Sequence, residues 1–153
     1  MMQKNDYTIT PLKLSHVQQM AEIEKLCFSE PWSEETIKDE LDTPLSRYFV
    51  CQAGERVLGY IGTRILFDQC DITNIAVHPD ARRGGIATLL LDELIKTVRP
   101  MGVEVLYLEV REGNTPARAF YEKSGFVPVG RRKNYYNLPT EDAILMTKTL
   151  EDL

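Results

Sequence analysis

The chain has 153 residues, a net charge of −5 and 43% hydrophobic residues, the balance of one ordinary domain with a sizeable core. A pI near 5.1 argues against broad nucleic-acid binding, which needs a basic face, while leaving a basic peptide free to be attracted. No apolar run reaches signal-peptide or membrane-span length, and Cys27, Cys51 and Cys70 are odd in number and far apart. They fit free thiols of a reducing compartment better than a zinc site or a disulfide framework, so a cytoplasmic protein with no metal and no membrane contact is expected.

In chain order, YTITPL (7–12) reads as a short strand. Ser15 is expected to open a helix with Gln18 as capping-box partner, since Val17, Met20, Ile23 and Cys27 recur at helical spacing. PWSEETIKDEL offers a second helix, with Ser33 as cap and Glu34 and Glu35 in its first turn. RYFVCQA (47–53), the turn GER and VLGYIGTRILF (57–67) suggest a hairpin, and CDITNIAV (70–77) a third strand. The helical run IATLLLDELIKTV (86–98) ends at Pro100 and Gly102, and VEVLYLEV (103–110) is again a strand. NTPARAFYEKSGF is a helix opened by Asn114 and stopped at Gly125, followed by strands around 126–137 and 143–149.

The order β-α-α-β-β-β-α-β-α-β-β describes a mixed α/β domain. Residues 70–110 form a strand–helix–strand crossover, so those two strands are expected to be parallel. Ligands gather beyond the C-terminal ends of such strands. That directs attention to Val77 with the turn after it, and to Val110 with Asn114.

The turn is ARRGGIAT (81–88). A helix N-terminus carries unpaired N–H groups and about half a positive charge, which suits a phosphate. Gly84 and Gly85 let the backbone approach an anion, Arg82 and Arg83 add charge, and Thr88 offers a hydroxyl. The spacing is neither the dinucleotide pattern nor the P-loop, and a plain loop with surface arginines is the competing reading. In the following strand Leu106, Leu108 and Val110 alternate on one face, which puts Tyr107 and Glu109 on the other. A carboxylate near the end of a central strand needs a partner, such as Arg111, or a function. Asn114 alone reads as a helix cap, and Tyr121 as a half-buried aromatic beside Phe120.

Arg82, Gly85 and Ala87 after NIAV make the pattern Arg-x-x-Gly-x-Ala, which resembles the GCN5-related N-acetyltransferase (GNAT) superfamily. The resemblance implies that fold over nearly the whole chain, as one N-acetyltransferase domain, 1–153, with a mostly antiparallel sheet around a central parallel crossover. It implies acetyl-CoA as co-substrate, with Ile75, Ala76 and Val77 along its pantetheine arm and Arg82, Arg83, Gly84, Gly85, Ile86, Ala87 and Thr88 at its pyrophosphate. YLEVREGNTPARAFYEKSGF, PWSEET and RRKNYYNLPTEDAILM further resemble the ribosomal-protein-alanine N-acetyltransferases (RimI type). That likeness implies Glu109 as general base, Tyr121 as general acid and cofactor contact, and Asn114 as cofactor contact. Trp32, Tyr135 and Tyr136 become candidates for the acceptor groove, with the N-terminus of a ribosomal protein as partner. Ala87 replaces a commoner Gly, Gly84 stands where bulkier residues are usual, and Lys133 looks inserted. Two other readings stay open: an acetyltransferase for another amine (polyamine, antibiotic or protein lysine), and a non-catalytic acyl-CoA-binding module.

Overall fold

The computed structural model describes residues 6–150. Its strands are β1 (Thr8–Pro11), β2 (Ser46–Ala53), β3 (Arg56–Leu66), β4 (Gln69–Val77), β5 (Val105–Arg111), β6 (Val127–Tyr136) and β7 (Glu141–Thr149). Its helices are α1 (Val17–Cys27), α2 (Glu34–Leu41), α3 (Ile86–Val98) and α4 (Thr115–Lys123). They follow the expected order. One seven-stranded sheet runs β1-β2-β3-β4-β5-β7-β6. Every neighbouring pair is antiparallel except β4–β5, which is parallel.

β3 is buried over most of its length because helices cover both faces of the sheet. On one side Leu58 and Ile61 pack with Ile86, Leu90 and Leu94 of α3. On the other, Val57 and Tyr60 pack with Met20 and Ile23 of α1 and Ile37 of α2. The α3 positions that disappear from water are Ile86, Leu90, Leu91, Leu94 and Val98, one stripe of a 3.6-residue helix. Each such side chain contributes about 1.5–3 kcal/mol by burial, which fixes the N-terminus of α3 against the sheet.

Ser33 caps α2 as expected, its Oγ accepting from Thr36 N at 3.2 Å. Ser15 does not cap a helix. The chain first makes a tight 3-10 turn over Leu14–His16, and α1 begins at Val17. The His16 imidazole accepts from Lys13 N at 3.0 Å, so His16 does for Lys13, two residues early, what Gln18 was expected to do for Ser15.

The feature that positions the site is a divergence in the middle of the sheet. β4 and β5 are paired from Gln69↔Val105 to Ile72↔Leu108. β4 then runs on through residues 73–77 and β5 through 109–111 with no pairing between them. Their outer edges stay covered, β4 by β3 as far as Gly59↔Val77 and β5 by β7 as far as Arg111↔Ala143. The β3–β4 register slips between Gly62 and Thr63, opposite Asn74 and Ile72. The extra residue, Thr73, forms a bulge, and bulges bend the strand that carries them. β4 therefore turns away from β5 where their pairing stops.

Candidate active site

Two clusters lie at the open end of this wedge. The first is the turn between β4 and α3. Arg83 (φ 69°) and Gly85 (φ 76°) both take left-handed backbone, and Gly85 is the residue ahead of α3, with no side chain capping the helix. The first bond of the helix runs from Leu89 N to Gly85 O at 3.0 Å. The N–H groups of Ile86, Ala87 and Thr88 come before it and point out of the helix end, the arrangement that binds anions.

The side chains here contribute less than their number suggests. Ile86 and Ala76 are buried, so only their backbone faces the wedge, with half-buried Ile75 and Val77 beside them. Arg82 is turned back: its Nε donates to Val77 O at 3.3 Å and its Nη2 lies 3.4 Å from Cys27 Sγ. Arg83 and Thr88 are exposed. A Cβ on Gly84 would meet the Tyr7 hydroxyl at 3.0 Å, which accounts for the small residue at this place.

The second cluster is built on β5. The strand alternates as expected, with Leu106, Leu108 and Val110 buried and Tyr107, Glu109 and Arg111 on the opposite face. Tyr107 Oη donates to Glu109 Oε1 at 3.1 Å, and Arg132 Nε approaches the same oxygen at 3.8 Å. Glu109 Oε2 is buried and has no hydrogen-bond partner among the described residues. The carboxylate is thus held through one oxygen and left bare at the other. The expected partner Arg111 instead pairs with Glu141, Nη1 to Oε1 at 3.2 Å.

Tyrosines surround Glu109. The approach of the Tyr135 hydroxyl to the Glu109 side chain, then burial and the Glu109 charge, push that hydroxyl's pKa up, and burial followed by that same charge pushes Tyr136 up to about 12. Tyr121, on α4, is almost wholly buried rather than half-buried. Its ring lies 5.4 Å from Phe120 and 5.5 Å from Phe126. Its hydroxyl makes no hydrogen bond among the described residues, and burial first, then the neighbouring Tyr136, pushes its pKa upward. It stays protonated at neutral pH. Tyr136 thus links the surroundings of Glu109 to those of Tyr121.

Asn114 caps α4, its Oδ1 accepting from Ala117 N at 3.2 Å. It is exposed, and its amide nitrogen has no partner among the described residues. Trp32 is half-buried 6.4 Å from Tyr48, and its backbone N–H donates at 2.9 Å to Glu24 Oε1. Glu24 is buried on α1 and also accepts from Tyr60 and, at 3.4 Å, from Asn74 of the unpaired stretch of β4. Lys133 is absorbed in a second bulge. Arg132 still faces Ala143 and Tyr136 faces Glu141, while Asn134 takes φ 54° and donates its N–H to Asp142 Oδ1 at 2.8 Å.

Sequence reasoning missed Tyr7, Glu24 and Arg132 and gave Tyr107 and Arg111 no role in the site beyond the strand face and a pairing with Glu109. Tyr107 and Arg111 left a signal, since they flank Glu109 at two-residue spacing on one face of β5. Tyr7, Glu24 and Arg132 come from distant elements.

The chain matches the Acetyltransferase (GNAT) family over residues 17–126. It is 36% identical over 143 residues to the ribosomal protein bS18-alanine N-acetyltransferase of Escherichia coli K12, covering 91% of this chain and 95% of that protein. It is 37% identical over 145 residues to that of Salmonella typhimurium, with the same coverage. The crystal structure of the ribosomal-protein-S18-alanine N-acetyltransferase from Escherichia coli superposes with a TM-score of 0.88 at 32% identity, covering 96% of each chain.

Proposed function

The chain belongs to the GNAT acetyltransferase family, and from this premise we propose that it acetylates the N-terminal α-amine of a protein, the alanine of small-subunit ribosomal protein eighteen. The observation that carries the mechanism is the pairing of a bare, buried Glu109 Oε2 with an uncapped helix end at the mouth of one wedge. The names of the relatives support the acceptor.

Acetyl-CoA supplies the activated acetyl group as a thioester. On this reading the N–H groups of Ile86, Ala87 and Thr88, with Gly84, Gly85 and Arg83, hold its pyrophosphate. The free edge of Ile75–Val77 lies along its pantetheine arm, and the amide nitrogen of Asn114 is free for a further contact. Glu109 takes the proton from the attacking amine on Oε2 while Tyr107 fixes Oε1. Tyr121 gives its proton to the departing thiolate, a role suited to a hydroxyl kept protonated by burial. Trp32, Tyr135 and Tyr136 flank the acceptor, and one domain holds both substrates.

The amine can be weighed by acidity. An α-amine has a pKa of about 7.7–8.0, against about 10.4 for lysine. Near pH 7 roughly a tenth of α-amines are neutral but under roughly a thousandth of lysines, so a single carboxylate is matched to the former.

The test uses two peptides in parallel. One carries the N-terminal sequence of small-subunit ribosomal protein eighteen; the other is the same peptide with its α-amine blocked and a lysine free. CoA release gives the rate and fragmentation mass spectrometry locates the acetyl group. Modification confined to the free alanine is expected; modification of the lysine peptide alone overturns the assignment.

A further inference from the structure

Two segments on opposite sides of the wedge would form the walls for an acceptor peptide: the α1–α2 connection, residues 28–33, and the β6–β7 turn, residues 137–140. Each is mostly exposed and carries no regular structure that would fix it. Both are nevertheless tied to one side chain. Arg111 Nη2 donates to Asn137 O at 2.8 Å and to Ser29 Oγ at 3.4 Å. Its Nη1 donates to Pro139 O at 3.0 Å and to Glu141 Oε1 at 3.2 Å. The guanidinium carbon lies 4.4 Å over the ring centre of Tyr136. Glu141 in turn accepts from Gly113 N through Oε2 at 2.6 Å, which fixes the carboxylate to the turn after β5.

We propose that Arg111 is the positioning residue for the acceptor: it sets the gap between the two walls and anchors both to β5, two residues beyond Glu109. This rests on the reading of Glu109 above. A planar guanidinium with five donors can span four acceptors from three segments, whereas lysine offers one point charge with three donors. At its far end the α1–α2 connection is tied to β4, because Trp32 N and Asn74 share the Glu24 carboxylate. Arg111 closes the same connection onto β5. The connection therefore bridges the two diverging strands, and its β5 anchor is one side chain. None of the Arg111 bonds reaches the 82–88 turn, so the device belongs to the acceptor side.

The experiment compares the wild type with Arg111→Lys, Arg111→Gln and Ser29→Ala, using the alanine-start peptide and acetyl-CoA. The peptide KM should rise roughly 10–100-fold in Arg111→Gln and nearly as far in Arg111→Lys, with kcat within about threefold and the acetyl-CoA KM unchanged. Ser29→Ala should raise it only about two- to threefold. If Arg111→Gln does not fold, the lysine and serine variants carry the test, with acetyl-CoA affinity by calorimetry as the check on folding. An unchanged peptide KM in Arg111→Lys overturns the proposal, as does a loss confined to acetyl-CoA binding. Wild type that fails to modify the peptide overturns the acceptor assignment instead. Limited chymotrypsin digestion then still decides the clamp. Cleavage after Tyr135 or Tyr136 should be roughly tenfold faster in Arg111→Gln, because released loops open more often; an unchanged rate overturns it.

Discussion

Residues 82–88 present mainly backbone: N–H groups ahead of the first bond of α3 and left-handed conformations at Arg83 and Gly85. Residues 107–111 and 131–142 present side chains already bonded to one another. Arg111 is joined to Glu141, Arg131 to both Glu112 and Asp142, and Tyr107 to Glu109. The first region suits an invariant ligand, because peptide groups are the same whatever the sequence and a pyrophosphate asks only for donors and positive potential. The second suits a variable one, because its walls are set by interactions that substitution can retune. A transferase with one constant donor and a selected acceptor needs both kinds of construction.

The sharpest way to break this comparison is at the chemistry between the two regions. Glu109→Gln and Tyr121→Phe should each lower kcat by ~10²–10⁴ while leaving acetyl-CoA affinity intact; full turnover in either variant removes that residue from its role. Gly85→Val addresses the backbone side. A β-branched residue at φ 76° is strained by about 1–2 kcal/mol and crowds the approach to the helix end, so acetyl-CoA Kd should rise roughly 10–100-fold. Calorimetry reading an unchanged Kd would mean that the anion sits elsewhere. Tyr107→Phe keeps the ring and deletes the bond to Oε1; kcat should fall about 3–10-fold, the scale of one ordinary net hydrogen bond. Smallest of all, Asn114→Ala should cost about 1 kcal/mol of stability in urea denaturation, the usual value of a helix cap, with peptide KM unmoved.

That contrast also governs what the sequence could reveal. The backbone region was legible because its requirements are local: glycine where φ is positive, a helix start just after, a strand just before. The alternation that set Glu109 apart from Leu106, Leu108 and Val110 was legible for the same reason. The order of elements and the parallel β4–β5 pair followed from hydrophobic periodicity and from the length of the crossover. What could not be read is what distant segments do to each other. Gly84 looked like a departure until Tyr7, from β1's approach, was seen against it. Arg82 could not be seen from the sequence to donate to Val77 O and lie beside Cys27. Arg111 looked like a partner for Glu109, and the β6–β7 turn took it instead. Ser15 failed more locally, because the turn opens at Leu14 with Lys13 ahead of it and His16 closing back on Lys13 N.

The divergence of β4 and β5 has a consequence for the upkeep of the protein itself. Along residues 73–77 and 109–111 the inner edges find no strand; Arg82 takes up Val77 O, and backbone groups left without such a partner depend on water or on whatever lies in the wedge. A molecule that fills the wedge binds the folded chain and not the unfolded one, and at a hundredfold excess over its Kd this adds about 2.7 kcal/mol to stability. With acetyl-CoA as that molecule, the co-substrate would govern stability as well as the rate of modification. The midpoint of thermal unfolding would then rise with the concentration of acetyl-CoA, and a chain stripped of it would open more readily.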